Sequence, residues 1–282
     1  MSVWEALVLG AIQGITEFLP VSSSGHLVLL QRIFGITEPA LLFDTMVHVG
    51  TLAAVFAVLW RDIWDILRRI IQPLTGYLVL ATVPTVILAL IFKDAIETAF
   101  ASGAFLGFAF LITAIFLTGS ELLSKRQGNT RQKDQMNWLD ALIIGIMQGI
   151  AIIPGISRSG STLSGALSRK LDRDFAARFS FLLSIPAILG ALVLQIKDLA
   201  GGAGNGAVET AAAEAAANAG TAGGIGALPI IAGTLTAAVV GFFSVRLMLK
   251  IVREKSLIGF AIYTAALGIL VLIDQFGTHI LL

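Results

Sequence analysis

Two short polar stretches carry the residue types that could do chemistry. The first reads Gln13-Gly14-Ile15-Thr16-Glu17-Phe18-Leu19-Pro20-Val21-Ser22-Ser23-Ser24-Gly25-His26. The second reads Pro154-Gly155-Ile156-Ser157-Arg158-Ser159-Gly160-Ser161-Thr162. Gln13 and Glu17 stand four residues apart, so on a helix they share one face and could hold a divalent metal that bridges phosphate oxygens. Ser22 to His26 open the next helix, where free N–H groups and the helix dipole attract phosphate or carboxylate. Ser22 or Ser23 beside His26 offers a hydroxyl nucleophile with a group that exchanges protons near neutral pH. Arg158 is a lone cation in an apolar surround, and its planar fork matches a phosphate. Ser24, Gly25, Ser157, Ser159, Gly160 and Thr162 add hydroxyls and amides that could bind the phosphate. Each residue has a plainer structural use: a serine run caps a helix, a histidine packs, and Arg158 pairs with Glu17 to lock the two stretches together. Together they suit the handling of a phosphate.

The surrounding elements must hold this polar set inside a very apolar chain. Of 282 residues, 56% are hydrophobic and 13% charged, about half the charged share of a soluble domain. That composition, with a mean hydropathy of +0.90, excludes a soluble enzyme, a nucleic-acid binder and a disordered chain. Nineteen basic against 18 acidic residues leave no polybasic footprint, and the absence of cysteine excludes disulfides, thiol catalysis and cysteine-ligated metals. Six stretches are long and uncharged enough to cross a bilayer as helices: roughly 42–60, 76–93, 104–123, 175–196, 227–249 and 257–275. Two more, 3–34 and 138–168, are apolar but broken by the two polar motifs, with halves too short or too polar to span. Broken helices at membrane depth are tolerated where they are buried in protein or line a wet cavity. The start lacks a basic n-region and reads as part of the mature fold.

Lysines and arginines set the orientation. Arg61, Arg68 and Arg69; Lys125, Arg126, Arg131 and Lys133; Arg169, Lys170 and Arg173; and Lys250, Arg253 and Lys255 form four basic clusters. With six alternating spans all four fall on one side, which is then cytoplasmic, and both termini lie outside. The segment 201–226 is Gly/Ala-rich low complexity and reads as a flexible external loop, with a short helix over 207–217 as a variant.

An internal repeat ties the two motifs together. Ala6 to Ile15 lines up with Ala141 to Ile150, and Val21-Ser22 and Ser24-Gly25 meet Ile156-Ser157 and Ser159-Gly160 at the same offset of 135 residues. An odd number of spans separates the copies, so the second is inverted, and paired interruptions of this kind place a site near the midplane. The fold class predicted is an all-α polytopic membrane protein: one domain over 1–282, six transmembrane helices and two re-entrant helix pairs, with inverted repeats at about 1–123 and 136–282. Gly10/Gly14 and Gly145/Gly149 read as close helix-packing positions. Asp44 and His48 read chiefly as capping and packing, Glu121 and Arg246 as snorkelling residues, and Trp4, Trp60, Trp64 and Trp138 as an aromatic belt.

These motifs resemble those of the undecaprenyl-diphosphate phosphatase family of bacteria, also called the bacitracin-resistance family. Gln13, Glu17, Pro20, Ser22, Ser23, Gly25 and His26 match its Glu/Gln-x-x-x-Glu and Pro-x-Ser-Ser-x-Gly-His stretch. Pro154, Gly155, Ser157, Arg158, Ser159 and Thr162 match its Pro-Gly-x-Ser-Arg-Ser-x-x-Thr. Phe43-Asp44 and His48-x-Gly50-Thr51-Leu52 also look like the family's run. Position 13 is Gln where many members have Glu, which makes a weaker metal ligand. The resemblance implies a multi-pass phosphatase of the bacterial cytoplasmic membrane. It would act at the external face on a C55 polyprenyl diphosphate and release the monophosphate carrier lipid, with bacitracin resistance as a consequence. It further implies a divalent cation, Mg²⁺ or Ca²⁺, on Glu17 and Gln13, phosphates held by Arg158, Ser23 preferred to Ser22 as nucleophile, and His26 as proton relay. Water attacking directly with His26 as base is the alternative mechanism. A transporter or flippase of a phosphorylated lipid is the alternative function. Membrane lipids and the polyprenyl diphosphate are the partners expected and nucleic acid is not; a homodimer is compatible with the sequence and undecided by it.

Overall fold

The structure is a computed structural model that describes residues 1–36, 41–128, 130–202 and 225–278. Nearly all of the low-complexity segment, including the variant helix at 207–217, lies outside the described residues. Among those residues the regular structure is helical, and the one β-type contact is an isolated parallel bridge between Arg131 and Leu171. In chain order the helices are α1 Val3–Thr16, α2 Ser23–Ile33, α3 Leu41–Val58, α4 Trp60–Arg68, α5 Pro73–Ile91, α6 Lys93–Ser102, α7 Leu106–Gln127, α8 Trp138–Ile150, α9 Arg158–Ser168, α10 Arg173–Gly202, α11 Ala227–Glu254 and α12 Ile258–Ile273. Five of them, α5, α7, α10, α11 and α12, are long and apolar enough to cross a membrane. A sixth candidate is α3 taken with α4, which bends away from it by 78°. The chain is a multi-pass membrane protein.

Both predicted interruptions are real helix breaks. The first helix of each pair starts with a capping box: Ser2 with Glu5 on α1, and Asn137 with Asp140 on α8. These boxes sit at the repeat offset, as do the starts of α2 at Ser23 and α9 at Arg158. Pro20 disfavours helical geometry at Leu19, and Ser22 caps α2 by accepting from Gly25 N–H at 3.3 Å. In the second break the turn passes through Gly155 at φ 92°, a conformation open to glycine and costly to other residues. Ser157 then caps α9 by accepting from Gly160 N–H at 3.1 Å.

Small residues let the broken pairs sit against spanning helices. A Cβ on Gly10 would lie 2.3 Å from the Gly233 carbonyl oxygen of α11, and one on Gly145 would lie 2.4 Å from the Ala81 carbonyl oxygen of α5. Gly14 and Gly149 repeat this one turn on, against Gly241 N and Leu88 Cδ1. The packing role expected for both Gly-x-x-x-Gly pairs therefore holds. A buried core gathers Phe18 of the first break with Leu117, Leu163, Phe181 and Val245 from four helices, while Leu29, Leu106, Phe110 and Val271 form a smaller cluster between α2, α7 and α12.

Three expectations need correction. Glu121 does not snorkel: it is 3% exposed, faces Arg173 at 3.1 Å and accepts from Leu257 N–H at 3.2 Å, so it anchors the α11–α12 turn. The basic 61–75 stretch is not a plain loop, because α4 occupies most of it. On α4, Arg61 and Arg68 lie over the exposed rings of Trp60 and Trp64 at 5.5 and 4.8 Å. A further helix, α6, follows α5 where no element was predicted. The other two tryptophans, Trp4 and Trp138, are exposed, as a belt requires. Arg246 is exposed over the Phe242 ring at 4.6 Å.

Candidate active site

The site forms where the two breaks touch. Ser159 Oγ donates to the Leu19 carbonyl at 3.0 Å, and Gly155 N–H donates to Ser24 Oγ at 3.4 Å. Each contact joins a serine near one helix start to the turn of the opposite break. Within each break the same serine pair recurs, Ser22 with Ser24 and Ser157 with Ser159, both at 3.3 Å between hydroxyls. Thr113 of α7 supports the second break from outside the motif: its hydroxyl accepts from Ser157 N–H at 3.0 Å.

Glu17 is the hub. It is 6% exposed, and Arg158, Ser23 and Gln13 converge on its carboxylate. Arg158 Nη2 donates to Oε1 at 2.6 Å, while Ser23 Oγ and Gln13 Nε2 donate to Oε2 at 2.6 and 3.0 Å. Since a carboxylate only accepts, the Gln13 amide must turn its nitrogen toward Glu17. Its oxygen, Oε1, is then buried without a hydrogen-bond partner, and so is Arg158 Nη1. An unmatched buried polar atom costs about 1–3 kcal/mol, more when charged, unless a ligand meets it. One orphan is a cationic donor and the other a hard oxygen acceptor, the pair that a phosphate and its counter-cation would complete.

The two serine candidates separate clearly. Ser23 is partly exposed and bonded to Glu17, whereas Ser22 is 2% exposed and spends its hydroxyl on capping. Ser22 also holds φ 70° and ψ 94°, a conformation that costs a non-glycine residue about 1–3 kcal/mol and is held by the surrounding contacts. The first-turn amides of Ser23 and Ser24, and of Arg158 and Ser159, lack helical partners as at any helix start.

Several residues expected to contact phosphate bond protein groups. The Gly25 and Gly160 amides are already taken by the cap serines, and their missing side chains matter more for packing. A Cβ on Gly25 would meet Phe110 Cζ at 2.5 Å. Thr162 is fully buried and turns away, bonding Ser180 Oγ of α10 at 2.6 Å. Ser157 is a cap, and Ser159 a strut between the breaks. Of the expected site residues, Gln13, Glu17, Ser23 and Arg158 share one hydrogen-bonded cluster.

His26 does not bond a serine hydroxyl. Its Nδ1 meets the Ser22 carbonyl at 2.7 Å, and its Nε2 meets the hydroxyl of Tyr263 on α12, also at 2.7 Å. Tyr263 escaped the sequence reading; the only signal was a single tyrosine in an apolar span, in a chain with two. His48 was read as packing, yet its Nε2 stands 3.6 Å from Glu17 Oε2. Its neighbour Asp44 accepts from Gln31 Nε2 at 2.6 Å, tying α3 to α2.

The donor set can be tested against a divalent cation. Among the described residues no three His, Cys, Asp or Glu side chains cluster as a metal cage. Mg²⁺ commonly takes only one or two carboxylates and completes its shell with water and substrate phosphates. Glu17 with the orphaned Gln13 Oε1 fits that habit.

Comparison with known proteins follows the same line. The family model described as Bacitracin resistance protein BacA matches residues 6–270. A protein of Carboxydothermus hydrogenoformans named undecaprenyl-diphosphatase is 45% identical over 276 residues, covering 98% of each chain. Undecaprenyl-diphosphatase 3 of Bacillus cereus is 42% identical over 277 residues with the same coverage. An undecaprenyl-diphosphatase of Methanosphaera stadtmanae is 39% identical over 295 residues, covering 97% of this chain and 98% of its own. With both motifs, their spacing and nearly the whole length in agreement, the chain belongs to the bacitracin resistance protein BacA family.

Proposed function

We propose that this protein hydrolyses undecaprenyl diphosphate to the monophosphate and inorganic phosphate, at a site assembled from both helix breaks. The observation that carries the reading is Arg158. One of its terminal nitrogens is neutralised by Glu17, and the other is a buried donor with nothing to meet. The terminal phosphate supplies the acceptor, with the first-turn amides of α2 and α9 around it.

Ser23 is the nucleophile and Glu17 its base, because the hydroxyl already donates to Oε2. As Ser23 Oγ attacks the terminal phosphorus its proton passes to Glu17. The bond to the bridging oxygen breaks, and the lipid monophosphate leaves. Water then attacks the phosphoserine and gives up a proton on the His26 side, while the Ser23 Oγ–P bond breaks and the serine oxygen takes back its proton from Glu17. Gln13 Oε1 and Glu17 would hold a Mg²⁺ or Ca²⁺ ion. When bound, that ion neutralises charge on the phosphate oxygens. Every residue used comes from one chain, so the reaction asks for no second copy.

The topology that fits this reading has six spans and two re-entrant pairs, with inverted repeats at about 1–123 and 136–282 and the site open to the external face. Support comes from the equivalent capping boxes, from the matched packing of α1 on α11 and α8 on α5, and from the one-sided basic clusters.

The test is phosphate release from undecaprenyl or farnesyl diphosphate by purified protein in detergent, with and without EDTA, for wild type and Glu17→Ala. Metal-dependent release by wild type, lost in Glu17→Ala, is expected. Acid quench should trap phosphoserine at position 23, and its absence would favour direct attack by water. Lipid binding without release would move the weight to a carrier, since detergent removes any gradient.

A further inference from the structure

We propose that Tyr263 positions His26 and is the group through which protons reach it, an assignment that rests on the hydrolase reading above. Both nitrogens of the histidine have a partner. A carbonyl oxygen only accepts, so the 2.7 Å contact with the Ser22 carbonyl fixes the proton on Nδ1. In the neutral ring Nε2 is then an acceptor, and the Tyr263 hydroxyl at 2.7 Å donates to it. Both nitrogens are engaged, and the ring itself is held. Phe110 meets it edge-on with centroids 5.7 Å apart, and the Tyr263 ring lies almost parallel to it at 11° and 5.8 Å.

Two consequences follow. His26 is 9% exposed, with Nδ1 tied to its own helix, so any proton it exchanges passes at Nε2. At Nε2 the neighbour is not a serine but a tyrosine hydroxyl on another helix. Tyr263 is 47% exposed, so its hydroxyl is the less buried of the two groups and the one that can meet a further partner. Its oxygen donates one proton to His26 and keeps lone pairs with which to accept another. When the water that cleaves the phosphoserine attacks phosphorus, it transfers a proton to the tyrosine oxygen as the tyrosine's own proton moves to Nε2. One O–H bond breaks at the water, one breaks and one forms at the tyrosine, and an N–H bond forms on His26; the water oxygen joins phosphorus as the Ser23 Oγ–P bond breaks, and Ser23 Oγ takes back its proton from Glu17. Reversal returns the proton with the leaving phosphate, and no oxidant or further reactant is needed.

Tyr263→Phe removes only the hydroxyl and keeps the stacked ring. We expect kcat to fall by about 100-fold, the lower edge of what a general acid–base group contributes. KM should stay within about threefold, because the phosphate-binding residues are untouched. A readout independent of turnover accompanies it. Selective ¹⁵N-histidine labelling, with His26→Gln assigning the signals, should show a hydrogen-bonded Nε2 in wild type that becomes unbonded in Tyr263→Phe. A kcat within twofold of wild type, or an Nε2 signal unchanged by the substitution, would overturn the assignment. A wild type that releases no phosphate overturns the hydrolase reading and the relay together. The nitrogen signals then still report the contact, so the two failures are told apart.

Discussion

At Arg158 one guanidinium is divided: Nη2 neutralises Glu17 across the two breaks, and Nη1 is buried without a partner, the donor that the proposed function gives to the phosphate. A lysine has a single ammonium and no planar fork, so it can keep the ion pair or reach the phosphate but not hold both in one plane. Arg158→Lys is therefore expected to lose about 10²- to 10³-fold in kcat/KM, the scale of removing one preorganised donor. Its thermal midpoint in detergent should stay near wild type, because the charge pair survives. Near-normal turnover in this variant would remove the clamp role. Glu17 and Arg158 were legible in the sequence because ionisable types are expensive in an apolar surround, and each stands in one of the two breaks. His48 and Tyr263 were not. His48 reaches Glu17 only because α3 folds back beside α1, and Tyr263 reaches His26 across a separation of 237 residues. Spacing along one helix holds no trace of either. The serine roles were also hidden, since Ser22 and Ser23 differ only in which way the first turn of α2 points them.

At the scale of elements, the pairing of helices depends on how closely backbones approach. Gly10 on α1 and Gly145 on α8 each abut a carbonyl oxygen of the neighbouring span, and a backbone atom cannot swing aside as a side chain does. Gly10→Ala and Gly145→Ala should each destabilise the protein by about 1–3 kcal/mol, the usual cost of overpacking. Gly76→Ala on α5 is the control, because nothing lies within 4 Å of its added carbon. Thermal unfolding in one detergent checks the set; equal midpoints for all three would mean that α1 and α8 are not held by these contacts. The helix pairs themselves could be read from the chain because apolar runs, breaks and the repeat all agreed. The helices α4 and α6 could not. Their amphipathic character lies in stretches that charge counting assigns to loops, and what orders α4 is remote: Arg178 of α10 bonds Asp62 at 2.9 Å.

The whole molecule raises the question of sidedness, and the repeat makes it sharp. If the second copy is inverted, the two breaks enter from opposite faces and only their tips meet, which is where Glu17 and Arg158 pair. A parallel repeat would bring both helix starts to the site from the same side, and the basic clusters would then fall on both faces. The chain contains no cysteine, so single cysteines report position without a background. Ala104, Gln135 and Ser256 are all exposed. Ala104→Cys, between α6 and α7, should react with an impermeant maleimide added outside intact cells. Gln135→Cys, before α8, and Ser256→Cys, between α11 and α12, should react only after the membrane is opened. The positive-inside rule places both of these with the basic clusters. Labelling of Gln135→Cys from outside would mean that the second copy keeps the orientation of the first. The broken helices could then not meet from opposite faces, and the shared site would need another explanation than a folded-in two-fold.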